Sequence, residues 1–438
     1  TVLYNTKILV SNKQRDNVLE NYYKLTEQKN RKVFMGPQPV TINYDSLDKN
    51  NFGSIIYDYG VTEKADGLRH LMYIGKDKIA YLINSKMNNV INTGIQIPVK
   101  GEWLLDGEYI QKNKNDEDIR LFMIFDVYWA EETPKPANKY PFIGDGLNRS
   151  DILDKLKEHL KKSKVVQEDI QTFRIDFKVY EYGISRLSKN KDNELLQKTI
   201  FKKSKSILDR ASKGGYEYHI DGLIYLPVNI PVKSGEDMKP VDKISGTWDY
   251  NYKWKPPEEN TIDFKIKIEK EVINKKNKKI YKDKLFPYTD INDEEKTIKY
   301  YKKAKLIVSY EESKDDSIRF CMKMIKNVSR TKKEIKFDPN YEIDVGVTNI
   351  PLFENRMMTV GDKREFNDGD IVEFRYNEDA KNGMIWEPLK LRDDKIKPQF
   401  FLIANNVWST IINPITQDMI QGNYDLDDFK TNDVANNN

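Results

Sequence analysis

Short runs in which apolar and polar residues alternate dominate the first third of the chain. They fall at residues 71–75, 79–83, 103–111 and 121–128. This period of two predicts strands, and the short links between them predict a mostly antiparallel, hairpin-linked sheet. Helical spacing occurs in fewer places. Val18, Leu19, Tyr22 and Leu25 mark residues 12–29, and Ile152, Leu153, Leu156 and Leu160 mark 151–162, with Ser150 as the expected N-cap. A further helix is expected near 205–213, stopped by Gly214-Gly215. Residues 34–40, with Gly36, Pro37 and Pro39, read as a breaker-rich loop.

The texture changes after Pro256-Pro257. Residues 269–284 are crowded with Lys and Asn and read as a solvated insertion or long hairpin. Spaced strand candidates follow at 305–310, 318–324, 341–347 and 370–376, the pattern of a small all-β domain such as an OB barrel. The expected division is 1–258, 259–400 and a tail or linker at 401–438, with the last residues disordered.

A chain of 438 residues suits two domains. The 73 Lys+Arg nearly balance 69 Asp+Glu, which argues against a passive nucleic-acid coat and leaves room for a local basic groove. The single cysteine, Cys321, excludes an intrachain disulfide framework and reads as a core residue beside Phe320 and Met322. No apolar run is long enough to span a membrane and no signal pattern opens the chain, so a cytoplasmic setting is expected. The start at Thr1, without Met, is that expected of a piece of a longer protein.

Five short motifs carry chemistry. In Glu63-Lys64-Ala65-Asp66-Gly67-Leu68-Arg69, a deprotonated Lys64 could attack the α-phosphate of a nucleoside triphosphate, and Arg69 could reach a ribose or phosphate. The bland alternative is a surface hairpin turning at Asp-Gly. In Asp106-Gly107-Glu108, Glu108 could hold ribose hydroxyls or Mg²⁺, and a hairpin is again the plain alternative. Phe125 in Phe125-Asp126 could stack on a purine, or be strand core. Asp221, in His219-Ile220-Asp221-Gly222-Leu223-Ile224, is a metal-binding candidate at a strand start, with His219 structural. In Lys253-Trp254-Lys255, alternation puts both lysines on one face, where an anion such as a triphosphate relieves their repulsion. Late in the chain, Arg392 and Lys395 could clamp the β- and γ-phosphates if their domain closes over the cleft.

The order KxDGxR, DGE, FD, DGLI, KWK, RxDK, from about Gly36 to Lys395, resembles the covalent nucleotidyltransferase superfamily of capping enzymes and ATP-dependent ligases. Residues 36–42, the run Lys255-Pro256 with Asn260-Thr261-Ile262-Asp263-Phe264, and Trp386 through Lys395 are similar to the mRNA guanylyltransferases, and residues 401–419 to those of large DNA viruses. The resemblance implies an α+β fold: an ATP-grasp-like nucleotidyltransferase domain of mostly antiparallel sheets with helices, then an OB-fold β-barrel domain. It implies Lys64 as nucleophile and GTP as substrate. The GTP contacts it implies are Arg69, Lys86, Glu108, Phe125, Lys253, Lys255, Arg392 and Lys395. Mg²⁺ or Mn²⁺ would be held by Glu108, Asp221 and Asp263. Lys86 stands where relatives often carry arginine. The implied reaction is transfer of GMP to diphosphate-ended RNA, with an RNA triphosphatase and a cap methyltransferase fused or associated. An ATP-dependent ligase acting through lysyl–AMP, and a catalytically dead RNA-binding scaffold, are the alternatives.

Overall fold

The computed structural model describes residues 10–29, 33–166, 173–275, 278–289, 297–310, 334–339 and 344–424. The chain forms two compact units, one of Thr1–Lys255 with Ile415–Asn438 and one of Pro256–Pro414.

The first unit holds two sheets. Seven strands pair in the order β8-β5-β4-β3-β6-β7-β9: β3 (Leu68–Ile74), β4 (Ile79–Asn84), β5 (Val90–Gln96), β6 (Trp103–Lys112), β7 (Asp118–Ala130), β8 (Lys164–Val165) and β9 (Arg174–Phe177). All pairs are antiparallel except β7 with β9. The second sheet runs β1-β12-β11-β2-β10, from β1 (Pro37–Thr41), β2 (Tyr59–Ala65), β10 (Glu181–Tyr182), β11 (Ile220–Pro227) and β12 (Gly246–Trp254). The expected loop at 34–40 is therefore partly strand. Pro37 and Pro39 are tolerated because β1 is an edge, where a missing N–H costs no ladder bond.

Few helices cover these sheets. Helix α1 (Asn12–Leu25) buries Val18, Leu19 and Tyr22, and α2 (Arg149–Leu160) buries Ile152, Leu153 and Leu156 in the same core as the seven-stranded sheet. The N-cap of α2 is Asn148, not Ser150: its side-chain oxygen accepts from Asp151 N at 2.9 Å. The earlier start carries Arg149 inward, where its guanidinium donates to both carboxylate oxygens of buried Asp126 (2.7 and 3.2 Å) and to Tyr140 O (2.6 Å). A buried cation of this kind is tolerable only with such partners. The helix expected at 205–213 runs from Thr199 to Ser212. Its Ile200, Phe201 and Ile207 pack under the five-stranded sheet, each contributing roughly 1.5–3 kcal/mol.

In the second unit the strand ladders among the described residues are antiparallel. Its central strands are β13 (Thr261–Ile268), β17 (Ile298–Ser309), β19 (Val347–Phe353), β21 (Ile371–Tyr376) and β22 (Trp386–Leu391). Ile262, Phe264, Ile266 and Ile268 alternate inward and meet Phe337, Phe374 and Trp386. The Lys-rich stretch folds as the hairpin β14 (Lys270–Lys275) with β15 (Lys278–Asp283). Cys321 and the strand expected at 318–324 lie outside the described residues, as does the terminal segment expected to be disordered.

Residues 401–420, expected to begin a tail or linker, contribute to the cores of both units. Residues Phe401–Ile412 form a helix whose Phe401, Ala404 and Trp408 complete the second unit's core. Ile415 and Ile420 belong to the core of the first unit, where Trp254 Nε1 donates to Ile415 O at 2.7 Å.

Candidate active site

The two sheets of the first unit face one another across a cleft, and the motifs converge on it. It is lined by Lys64 from β2, Arg69 from β3, Glu108 from β6, Phe125 from β7, Ile224 and Leu226 from β11, and Asn251 and Lys253 from β12. None of the three Asp-Gly pairs in the motifs is a hairpin turn. Asp66-Gly67 joins β2 to β3, which lie in different sheets, so the chain crosses the cleft at the lysine motif. Gly67 is required there, because a Cβ would stand 2.7 Å from Glu108 Cγ and 3.0 Å from Tyr109 O. Asp106-Gly107 and Asp221-Gly222 lie inside strands.

Both of those pairs sit at bulges, which re-aim side chains. On β7, Ile124 pairs with Gly107 and Asp126 with Asp106, leaving Phe125 as the extra residue, free to face the cleft. On β11, Ile220 pairs with Ala65 but Leu223 with Glu63. The inserted residue shifts the alternation, so Leu223 and Tyr225 enter the core while Asp221 and Ile224 both turn to the site. Gly222 makes this possible, with φ of 146° and a Cβ position only 1.9 Å from Trp254 O.

Asp221 is the hub of the cations. Its carboxylate accepts from Lys64 Nζ at 2.7 and 2.9 Å and lies 2.6 Å from Lys255 Nζ. Burial pulls its pKa up, but the two ammonium groups outweigh burial and hold it below the ordinary carboxylate value. Lys253 is pushed the other way. Its burial, then Lys64 and Lys255, lower its pKa, with Asp221 partly offsetting. As expected from alternation, Asn251, Lys253 and Lys255 are half-buried on one face of β12 while Tyr252 and Trp254 enter the core.

Burial raises Glu108 to about 7 against the pull of Lys178, Lys64 and Arg69, with Asp106 adding to the rise. Its proton is therefore retained below about pH 7 in the folded protein and lost above. The sign for stability follows: as pH rises from 4.5 towards 7 the unfolded chain ionises first, so this group progressively costs stability in that window.

Arg69 is less free than a pure ligand contact. It pairs with buried Asp106 through Nε (3.0 Å) and Nη2, and donates to Pro37 O at 2.8 Å. Tyr128 closes the same carboxylate at 2.5 Å. Phe34 and Phe125 lie 5.7 and 5.6 Å from its guanidinium carbon. Lys86 is not brought to the cleft, but stands on an exposed turn after β4. Asp263, Arg392 and Lys395 gather in the second unit. Arg392 donates to Asp263 at 3.0 Å and to Asp394 at 2.9 Å, and Lys395 also donates to Asp263. A carboxylate so engaged by two cations is a poor metal ligand, and no group of three His, Cys, Asp or Glu suited to a metal occurs among the described residues.

Lys178 and Asn251 are among the lining residues that escaped the sequence reading. Lys178, between β9 and β10, donates to Glu63 O at 2.9 Å, with its Nζ 5.7 Å from the Phe125 ring centre. Asn251 carries a buried side-chain oxygen without a hydrogen-bond partner. Neither belongs to a motif; Asn251 could have been found by extending the lysine alternation one step back.

Residues 5–257 match the family model described as mRNA capping enzyme, catalytic domain, and residues 259–421 match mRNA capping enzyme, C-terminal domain. The chain belongs to the mRNA capping enzyme family. A probable mRNA-capping enzyme of Acanthamoeba polyphaga mimivirus is 27% identical over 465 residues, covering 96% of this chain and 35% of that protein. The mRNA-capping enzyme of Danio rerio is 24% identical over 251 residues, 55% of this chain and 35% of that protein. The mRNA-capping enzyme subunit alpha of Kluyveromyces lactis is 22% identical over 419 residues, 91% of this chain and 78% of that protein. The chain thus spans 35% of the mimivirus and Danio proteins. A solved ATP-dependent DNA ligase from bacteriophage T7, in complex with ATP, overlays at a TM-score of 0.29 and 12% identity, covering 82% of this chain and 98% of that one. No helix among the described residues is long and apolar enough to cross a membrane.

Proposed function

We propose that this capping-family chain is an mRNA guanylyltransferase in which Lys64 carries GMP between GTP and RNA. The observation that carries the reading is the convergence of Lys64, Asp221, Lys253, Lys255 and Glu108 on one cleft from strands far apart in sequence. In the first step the neutral Lys64 amine attacks the α-phosphorus of GTP. An N–P bond forms, the bond to the β-phosphate bridging oxygen breaks, and pyrophosphate leaves. Asp221 accepts a hydrogen bond from Nζ at 2.7 Å and so holds the amine in place, while the proton that Lys64 gives up passes to solvent. Lys253 and Lys255 offset the charge spreading over the phosphoryl oxygens. In the second step the terminal oxygen of a 5′-diphosphate RNA attacks that phosphorus, the N–P bond breaks, Lys64 regains a proton, and GpppN-RNA leaves.

Glu108, once ionised, offers hard oxygens of the kind Mg²⁺ or Mn²⁺ takes alongside substrate phosphates, whereas Asp221, engaged by Lys64 and Lys255, would have to release those cations before sharing the ion. Such an ion would supply further neutralisation of the triphosphate. An RNA triphosphatase must make the diphosphate end, and a cap methyltransferase would consume the product.

Base choice follows from Phe125, Lys178 and Asn251. A purine stacked on Phe125 lies beside an ammonium donor and an orphaned amide acceptor. Guanine offers its O6 acceptor and N1–H and N2–H donors to such a pair, whereas adenine offers the reverse pattern at those positions. Incubation with α-labelled GTP or ATP in parallel is expected to label the protein with GTP at least a hundredfold more efficiently. Labelling by ATP instead would establish the ligase alternative and overturn this reading.

Glu108 serves as the acceptor for ribose hydroxyls or as a metal ligand, and only its ionised form does so. Adduct formation is therefore expected to fall about tenfold per pH unit below about 7. Glu108→Gln should label slowly and lack that inflection; an unchanged inflection in the variant would assign it elsewhere.

A further inference from the structure

The outward face of the second unit is not a uniformly solvated charged surface. Register places Lys303 and Lys305 of β17 opposite Asn349 and Val347 of β19, with Lys267 of β13 opposite Lys305. Ala304 and Leu306 between them are fully buried, so the lysines stand on the outer side. The neighbouring lysines are already neutralised: Lys265 by Glu334 at 3.0 Å, Lys336 by Asp344 at 2.6 Å and Lys302 by Asp283 at 2.8 Å. Lys303 and Lys305 have no such carboxylate among the described residues, and both are exposed. They leave surplus positive charge at two points about 7 Å apart along one strand.

The same face continues into an aromatic ladder. Phe286 of β16 (Leu285–Thr289) pairs with Tyr301, the rings stacked at 5.3 Å and 11°. Tyr288 meets Tyr301 at 6.0 Å and lines an open cleft with Pro351, Asn377 and Lys381, where Asp379 and the Arg375-paired Glu387 also stand, so the surplus positive charge lies at the lysine end of the face. Flat rings beside amide and ammonium groups form a surface on which a nucleobase can stack and hydrogen-bond, while the adjacent lysines take backbone phosphates.

We propose that this face, from Lys305 and Lys303 through Tyr301 to Tyr288, is the binding surface for the single-stranded RNA whose 5′ end is capped. The occupant is set by charge complementarity: cations with no carboxylate partner among the described residues, next to stacking rings, fit a polyanion with bases rather than an apolar peptide. The inference rests on the guanylyltransferase reading for the identity of its substrate, but it concerns only the second step, because the first uses no RNA.

The test separates the two. Lys303→Glu/Lys305→Glu and, as a milder form, Lys303→Ala/Lys305→Ala are compared with the unaltered protein for labelling by α-labelled GTP and for binding a 5′-diphosphate oligoribonucleotide across a salt series. The alanine pair should label normally, yet its plot of log affinity against log salt should be shallower by about 1.4, since each lost phosphate contact on a single strand removes about 0.7. Tyr288→Ala should bind RNA about tenfold more weakly, with an unchanged salt slope. Unchanged affinity and slope in the lysine variants overturns the proposal. So does parallel loss of GTP labelling in the alanine pair, which would place these lysines in folding or in the first step. RNA binding that behaves as described in a protein that never labels with GTP would keep this surface and sink the guanylyltransferase reading.

Discussion

Lys64→Ala is expected to abolish the covalent adduct entirely. Alanine has no nucleophile, and the other ammonium groups at the cleft are placed differently. Lys255 lies 2.6 Å from the far side of Asp221, and Lys253 reaches the cleft from β12. A conservative Lys64→Arg keeps the positive charge beside Asp221, yet it should fail equally. A guanidinium is effectively always protonated and cannot attack phosphorus. The measurement is transfer of label from α-labelled GTP to protein, followed on a denaturing gel and tested for acid lability and alkali resistance of the bond. If either variant still becomes labelled, another residue is the nucleophile. Because Lys64 is only partly buried, at 23% exposure, neither change should cost much stability. Loss of label with an unchanged melting temperature is the specific signature.

The second large effect is expected from the smallest possible change, Gly222→Ala. A φ of 146° is open to glycine and strained for any other residue, at about 1–3 kcal/mol. The added methyl would also stand 1.9 Å from Trp254 O, on the strand that carries Lys253 and Lys255. Relief requires that strand or the bulge to move, at a similar further cost from overpacking. Several kcal/mol of stability should therefore be lost. Labelling should fall about a hundredfold even well below the melting temperature, because displacement by about 1 Å can cost that much. Circular dichroism melts together with adduct rates at low temperature check both parts. Normal labelling by the variant would show that the bulge does not set the geometry of Asp221 against Lys64.

These two residues also mark how far the chain could be read from its letters. Lys64, Glu108, Asp221, Lys253 and Lys255 were legible because each sits in a short motif, and β12 obeys simple alternation. Phe125 and Asp221 were legible as candidates, but their orientation was not. Both owe their orientation to a bulge, and a bulge breaks the period of two on which alternation depends. The hairpin alternative for Asp66-Gly67 and Asp106-Gly107 fails, since a dipeptide that favours tight turns serves here as a crossover between sheets and as an in-strand irregularity. Lys86, read as a replacement for the arginine that relatives often carry, stands on an exposed turn. Lys178 and Asn251 line the cleft with no motif around them.

Arg149 makes the same point for the core. In the sequence it is one more cation at a helix start. In the fold it is buried against Asp126, the residue after Phe125 on β7, and so helps to hold the strand that presents the aromatic ring. Breaking such a pair by removing one partner typically costs about 3–5 kcal/mol. Nothing in the spacing of residues 126 and 149 announces that pairing.

Local order along the chain was thus enough to point to the family, to name Lys64 as the candidate nucleophile and to lay out the alternation of apolar residues into two cores. Those depend on residue type and near-neighbour spacing, which the sequence states directly. Which side chains meet was decided by tertiary structure. Sheet order, bulges and the return of the chain at Ile415 depend on contacts between segments hundreds of positions apart, and the free energy of such contacts is a property of the packed whole.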